Sequence, residues 1–370
     1  MIRLFLLLVA GCLASIWDAK GVEANVKLID SNALVDDTSL QWLDNRQVFF
    51  RGFKQGGALN DRKPIRTNLY SLHIWDVVSN RLTRVSRMMS NLLCASDGNV
   101  AFYAPDPKLP TGDWVLFVGK YGSERNTGIT RQAVNSHRAW LNPISCETHT
   151  TEPLWIKLSP SYDNVKFLAA TKPMKENHGF IHVAPGGTNS STKQGEYEVI
   201  FYRASDGKKI TLFQHSNDEA RGVALRLSYV PFIDKYLLSG STKLVGEGIA
   251  PAWLISPTGN VQAISPATVP TPGADNYLLS KAGILYPYTR IAGRLDTTLS
   301  GLWLIRGREV ERVIVGIVRG PVVSPDGCKV AFSHAIHHQA HYGGLENLSK
   351  GEAGYTTLKM IDLCVEGRGK

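Results

Sequence analysis

The stretch "SHAIHHQAHYGG", Ser333 to Gly344, places four imidazoles within eight residues: His334, His337, His338 and His341. Neutral imidazole nitrogen is a good ligand for zinc and similar ions, and histidines three and four apart converge on one ion when the backbone turns helically. Gly343 and Gly344 give the end of the segment the freedom to turn. Unperturbed, the rings would titrate near pH 6.5, so protons and a metal compete for the same nitrogens. In mild acid the loop would instead attract anions. The segment is therefore a candidate divalent-metal site, set against the alternative of a solvated, hydrogen-bonded loop.

Other chemistry is less well supported. "SSTK", Ser190 to Lys193, formally matches a serine–lysine nucleophile pattern, but it lies in the Gly- and Ser-rich stretch "APGGTNSSTKQG" rather than on a helix. There is no GxSxG nucleophile elbow, and no glycine-rich loop ends in GK[ST] to cradle a phosphate. No CxxC is present, so a zinc ribbon is not expected. The "WD" pair, Trp75-Asp76, reads as packing between strands.

The elements that would position the histidines are repeated hairpins. "VSPDGCKVAFSH" from Val323 is a strand, a tight Asp-Gly turn and a second strand. Similar units are "WLDNRQVFFRG" from Trp42, "CASDGNVAFYA" from Cys94, "LSPSYDNVKFLAA" from Leu158, "VPFIDKYLLSG" from Val230 and "LSKAGILYPYT" from Leu279. A second hairpin follows each: "LHIWDVVSNRLTRVS", "RAWLNPISCETHT", "VIFYRASDGKKITLFQ", "AWLISPTGNVQAIS", "LWLIRGREVERVIVG" and the truncated "LKMIDLCVEG". Two hairpins make a four-stranded antiparallel sheet. Such sheets recurring at roughly 40 to 70 residues are the signature of a β-propeller. The expected fold is all-β: six four-stranded antiparallel blades in one domain, residues 25–370. The last unit lacks its fourth strand, and the chain's early "VKLIDS" (Val26 to Ser31) lacks a hairpin partner. The second should complete the first and close the ring.

The repeat "SPDGCKVAF", Ser324 to Phe332, resembles that of the TolB-like, or WD-like, β-propellers, and "LHIWDVVSNRLTRVS" fits that repeat's second half. The resemblance covers roughly residues 25 to 370, without the N-terminal α/β domain of a full TolB protein. Some TolB-like sugar-acid lyases use histidines and a glutamine on a propeller face to hold a divalent metal. The resemblance thus implies such a role for His334, His337, His338, Gln339 and His341, although here they are clustered in sequence rather than drawn from several blades.

The first 24 residues read as a signal peptide: one arginine, then an apolar run. "VAGC", Val9 to Cys12, is similar to a lipobox, which would make Cys12 a lipidated N-terminus. General cleavage after Gly21 or Ala24 is the other exit. Cys94, Cys146, Cys328 and Cys364 then remain, an even count that suits two disulfides in an oxidising compartment. In a four-stranded meander the first and third turns share one end of the blade. Cys328 and Cys364 fall there in the sixth unit, and Cys94 and Cys146 near there in the second. The expected pairs are Cys94–Cys146 and Cys328–Cys364.

The net charge is +9, but lysine and arginine are scattered with no basic run, so nucleic acid is not an expected partner. Long insertions are read at 52–68, 119–137, 172–196 and 334–355, most of them joining second to third strands and crowding one basic face around the channel mouth. An acidic ligand or an envelope protein is the partner this suggests. Membrane contact is expected only through the signal or a lipid anchor, and the location is periplasmic or surface-anchored. The functional reading is a binding or scaffold module. The alternative is a metal-assisted enzyme, lyase- or hydrolase-like, acting on an acidic sugar or similar small substrate, with the divalent metal as its cofactor.

Overall fold

The computed structural model describes residues 26–35, 40–54, 71–85, 92–106, 108, 114–135, 139–142, 144–149, 171–189, 194–217, 226–239, 252–264, 277–289, 291–292, 294–295, 300–307, 309–335 and 356–364. They form six blades of four antiparallel strands in a ring.

The chain enters through β1 (Lys27–Val35). Blade one follows as β2 (Gln41–Trp42), β3 (Gln47–Lys54), β4 (Ser71–Asp76) and β5 (Arg81–Arg84). Blade two is β6 (Leu92–Ser96), β7 (Asn99–Pro105), β8 (Trp114–Lys120) and β9 (Arg125–Thr130). A short helix α1 (Arg131–Asn135) and a separate hairpin, β10 (Trp140–Leu141) and β11 (Thr148–His149), come next. Blade three is β12 (Thr171–Pro173), β13 (Gly179–Asn189), β14 (Gln194–Arg203) and β15 (Lys209–Asn217). Blade four is β16 (Arg226–Val230), β17 (Lys235–Ser239), β18 (Ala252–Ile255) and β19 (Val261–Ile264). Blade five is β20 (Leu278–Ser280), β21 (Gly283–Tyr288), β24 (Gly301–Arg306) and β25 (Glu309–Val315), with the small hairpin β22 (Ile291–Ala292) and β23 (Arg294–Leu295) inserted. Blade six is β26 (Ile317–Val323), β27 (Lys329–Ala335) and β28 (Thr356–Asp362), completed by β1.

Burial follows from this stacking. The middle strands of a blade are covered by a neighbouring blade on each face, so they are apolar throughout: Val100 to Ala104 of β7 and Gly301 to Ile305 of β24 are all buried. Outer strands face water and carry polar residues, as in "RLTR" of β5 and "RNTGIT" of β9. Charged edges also discourage pairing with a second chain. The core is a ring of clusters between blades. One joins blades one and six through Val48, Phe50, Trp75, Ala331, Leu358 and Met360, and others join one to two, three to four, four to five and five to six.

Closure occurs as expected. β1 pairs antiparallel with β28 from Lys27↔Asp362 to Val35↔Thr356, and its last residues, Ala33 to Val35, also pair with β3 of blade one. Blades six and one are thus one continuous sheet. Ser31 Oγ donates to Leu358 O at 2.8 Å, and Trp42 Nε1 donates to Val322 O at 2.9 Å, so side chains reinforce the ladder.

Three expectations need correction. "RAWLNPISCETHT" is not the second half of blade two: "WVLFVGK" and "RNTGIT" are, and the former segment makes the free-standing β10–β11 hairpin. The run Val115 to Val118 is mostly buried, and that burial marks β8 as a middle strand rather than a lead-in to a loop. Of the stretch 119–137, residues 121–135 are therefore a turn, a strand and a helix, not an insertion. Likewise 172–196 contains β12, β13 and the start of β14, with Phe180 and Ile181 in the core. The Leu158 hairpin lies outside the described residues, and the first hairpin of blade three is β12–β13.

The "SPDG" turn shows why that motif recurs. Ser324 Oγ donates to Asp326 Oδ1 and accepts the Lys329 amide at 2.8 Å, while Asp326 Oδ1 also accepts the Cys328 amide at 3.0 Å. Gly327 takes φ +77 and lies against the Phe232 ring, 2.7 Å from where a Cβ would stand. Burial works to raise the Asp326 pKa, but these donors and Lys329 outweigh it and hold the carboxyl below its usual range. The Asp326 amide donates to Asn45 Oδ1 at 2.7 Å, and the Lys281 amide to Gly327 O at 2.9 Å. First turns of neighbouring blades are therefore stitched together on one face of the ring.

Candidate functional site

On that face, between blades two and three, lies a cleft of about 560 Å³. Three turns supply its walls. The β6–β7 turn gives Ser96, Asp97 and Asn99, the β10–β11 turn gives Ser145 and Glu147, and the β12–β13 turn gives Lys175, Glu176 and Asn177.

Each turn is fixed locally. Asp97 and Gly98 both have positive φ (51 and 77), the pattern of a tight hairpin. The Gly98 amide donates to Leu43 O at 2.7 Å, tying the turn to blade one. In the β10–β11 turn Asn142, 2% exposed, is the organiser. Its Oδ1 accepts the Ile144 amide at 2.9 Å, and its Nδ2 donates to Met174 O of blade three at 2.7 Å. Cys146 has φ 59 and is bonded to Cys94 of β6. The hairpin is thus pinned on both sides of the gap. Ser145 Oγ donates to Glu147 Oε2 at 3.0 Å, and His149 Nδ1 lies 3.5 Å from Glu176 Oε1.

The β12–β13 turn rests on blade four. The Lys175 amide donates to the Tyr236 hydroxyl at 3.0 Å, and that hydroxyl lies 2.8 Å from His178 Nδ1. A hydroxyl that accepts the amide keeps its own proton for the imidazole, which places neutral His178 as the acceptor. Lys175 Nζ lies 4.0 Å above the Tyr229 ring, and Tyr229 donates to Asp234 Oδ1 at 2.7 Å. Burial pushes both tyrosines far above the usual phenol range. For Tyr229 the Asp234 hydrogen bond and the charges of Asp234 and Asp97 add to this. Both therefore act as hydroxyl donors rather than bases. Burial pulls His178 down, with Asp234 opposing and Lys175 assisting.

The cleft therefore offers three carboxylates, one ammonium, amides and hydroxyls. That set suits recognition of a polar ligand. Among the described residues, Glu147, His149 and Glu176 are the group of three metal-capable side chains whose donor atoms all lie within 4.8 Å of one another.

The histidines expected from sequence divide. His334 sits on β27, 6% exposed, and its Nε2 lies 2.8 Å from Val315 O, a carbonyl, so that nitrogen donates. Its ring meets Phe332 edge-on. Burial lowers its pKa, and the Val315 hydrogen bond offsets part of that. His337, His338, Gln339 and His341 lie outside the described residues, as do Cys12, the rest of the first 24 residues and Ser190 to Lys193. Trp75 is fully buried and donates to Asn80 Oδ1 at 2.8 Å, in keeping with its packing role.

Both disulfides pair as expected, Cys94–Cys146 and Cys328–Cys364. The second joins the first turn of blade six to the end of β28. The first does not bridge two turns of blade two; it fastens β6 to the separate hairpin. Lys175, Glu176 and Asn177 escape the sequence reading because 172–196 reads there as an insertion. Reading "KPMKENHGFIHV" as strand, turn, strand would have placed Lys175, Glu176 and His178 at a blade turn.

No family model and no curated protein matches the chain. Among solved structures it is similar to an oligogalacturonate lyase from Vibrio parahaemolyticus (8% identity, 92% of this chain and 95% of that one, TM-score 0.37). It is similar to a gluconolactonase from Xanthomonas campestris (9%, 92% and 91%, TM-score 0.37). It is also similar to the β-propeller domain of the Trilobed protease from Pyrococcus furiosus (10%, 83% and 79%, TM-score 0.30). These are likenesses of fold and nothing about activity is carried from them.

Proposed function

We propose that the protein is an exported, TolB-like propeller of the cell envelope whose work is binding, and that the cleft between blades two and three is where it binds. The observation that carries this reading is the convergence of three separately fixed turns on one cavity of about 560 Å³, within the range of small-ligand sites. Asp97, Glu147 and Glu176 against Lys175 give the cleft a negative balance within a chain of net charge +9. A cationic or hydroxyl-rich small ligand fits that balance. The acidic partner expected for the opposite, loop-rich face remains a proposal for that face. Export is supported by the two disulfides and by the signal-like N-terminus. Among the described residues no helix is long and apolar enough to cross a membrane.

The test is isothermal titration calorimetry with a panel of polyamines, amino sugars and neutral oligosaccharides, in EDTA. Binding to the wild type that weakens at least tenfold in Asp97→Asn is the expected result, with Lys175→Ala, which removes a like charge, leaving binding of a polyamine unchanged or tighter. Silence across the panel at millimolar concentration would remove the cleft from consideration.

A further inference from the structure

We propose that Glu147, His149 and Glu176 form a divalent-cation site in the wall of the cleft, with positions on the ion left open toward the cavity. The inference deepens the binding reading above and rests on it only for what the ion would then contact.

Three observations converge. The first is the donor set. One imidazole and two carboxylates suit a zinc-like first-row ion, and three protein ligands with an open position is the arrangement of reactive rather than purely structural sites. The second is spacing. Ligands about 2.1 Å from a tetrahedral ion lie about 3.4 Å apart. His149 Nδ1 and Glu176 Oε1 are already 3.5 Å apart, and the whole set lies within 4.8 Å. Rotation of one exposed glutamate closes the remainder. The third is an unmet demand on the residue paired with His149. Trp140 stands directly opposite His149 in the β10–β11 pair, and its Nε1 is buried without an acceptor among the described residues. A buried donor without a partner is costly, and an oxygen carried by the ion, from water or from a ligand, would supply the acceptor.

The scaffold explains why the donors meet. Glu147 and His149 come from a hairpin outside the blades, and Glu176 from blade three. Cys146, adjacent to Glu147, is bonded to Cys94, and Asn142 reaches across to Met174 O. The disulfide fixes the hairpin to blade two and the buried Asn142 hydrogen bond fixes it to blade three, so the ligands are brought together by the scaffold rather than by the ion itself. Ser145 holds one Glu147 oxygen and leaves the other for coordination.

The experiment titrates Zn²⁺, and Co²⁺ as a spectroscopic substitute, into four proteins: wild type, His149→Ala, Glu176→Gln, and a triple variant with His337, His338 and His341 all changed to alanine. Circular dichroism checks each fold. The expected result is one equivalent bound by the wild type and by the triple variant. Affinity should fall at least tenfold in His149→Ala and Glu176→Gln, with loss of the intense visible Co²⁺ bands of a low-coordinate site. Two equivalents in the wild type, of which His149→Ala removes one and the triple variant the other, also support the site. Metal bound equally by His149→Ala and lost in the triple variant, or no metal bound by the wild type, overturns it. Because the ligand panel is run in EDTA, its outcome and this one fail separately.

Discussion

The ring is joined in two very different ways. Between blades six and one the backbone itself is continuous: β1 completes one blade and its end starts the next, over a cluster of Trp42, Phe50, Trp75, Leu358 and Met360. Between blades two and three a hairpin is wedged in. Ala139 and Cys146 pack on blade two, while Ile144 packs on the cluster shared by blades three and four. The first joint buries aromatic surface. The second is held by one disulfide and by Asn142, and opens a polar cleft. The contrast separates two tasks. Where chain ends must be kept from fraying, the molecule invests apolar area. Where it gathers charged groups around a cleft, it spaces the blades and fixes the spacer covalently.

The largest test of this division is at the closure. Trp75 is fully buried, its Nε1 donates to Asn80 Oδ1, and Asn80 Nδ2 donates to Asp30 O on β1. Trp75→Ala should cost about 3–5 kcal/mol in urea unfolding. Glu147→Ala, on an exposed cleft residue, should change stability by less than about 0.5 kcal/mol. Similar costs for the two would erase the distinction between the joints.

Next come the disulfides. They close sequence separations of 52 and 36 residues, so the chain-entropy argument gives them nearly equal value, and replacing either pair with alanine should cost about 2–4 kcal/mol. Their local consequences should differ. Without its bridge, Cys328 still accepts the Leu363 amide at 2.8 Å, and Asp362 still accepts the Cys364 amide at 3.0 Å. The β10–β11 hairpin has two residue pairs and lacks a blade of its own. Limited proteolysis should therefore cut within 131–150 in the Cys94/Cys146 variant, with no matching cut near 328 in the other. Equal protection of the hairpin would mean that Asn142 alone holds it.

Much of this was legible in the sequence, and the failures are physical. The closure was readable because a missing strand and an unpaired strand are complementary deficits. "SPDGCK" was readable because its side-chain hydrogen bonds are local. Blade two departs from the sequence expectation because "GDWVLFVGK" has no Pro-Asp-Gly turn before it, whereas the "NPIS" stretch in "RAWLNPISCETHT" resembles a blade turn. The Cys94–Cys146 pair was nevertheless right, because the true hairpin docks at the same end of the blade as the turn first assigned to it. The cleft as a whole was not legible: "KPMKENHGFIHV" can place Lys175 and Glu176 at a blade turn, but Asp97, Glu147 and Glu176 lie in separate turns and meet only through the ring.

Gly98 and Gly327 give a finer comparison, since both have φ +77. A Cβ at Gly98 would meet nothing within 4 Å, whereas at Gly327 it would stand 2.7 Å from the Phe232 ring. Gly98→Ala should cost about 1–2 kcal/mol for the left-handed backbone alone. Gly327→Ala should cost about 1 kcal/mol more, because the ring must move. Thermal unfolding of both variants isolates that difference. Equal costs would mean the Phe232 contact yields freely and contributes little to the stitched face.

The smallest effect is a pH dependence shared between the two sides. Burial lowers the pKa of His178 and His182 in blade three and of His334 in blade six below 6.5. Above pH 6.5 both folded and unfolded chains carry these rings neutral, so they impose no slope. Below it the unfolded chain takes up protons that the folded chain refuses, and stability falls as pH falls until the folded pKa is reached. Each ring contributes at most about 1.4 kcal/mol per pH unit within that window. His334 donates through Nε2 to Val315 O, whereas His178 accepts from Tyr236 through Nδ1. Protonating His178 converts that acceptor into a donor facing a hydroxyl that already takes the Lys175 amide, and the Tyr236 proton is left without its partner. Tyr236→Phe removes the conflict but keeps the burial that is the first cause of the shift, so it should reduce the slope between pH 6.5 and 5.5 only in part while lowering stability at all pH values. His334→Gln should flatten it independently, and the two changes should add because the sites lie in different blades. Chemical unfolding of the two single variants and the double at four pH values measures this. An unchanged slope in Tyr236→Phe would assign the acid sensitivity to the burial of the rings rather than to the Tyr236 hydroxyl.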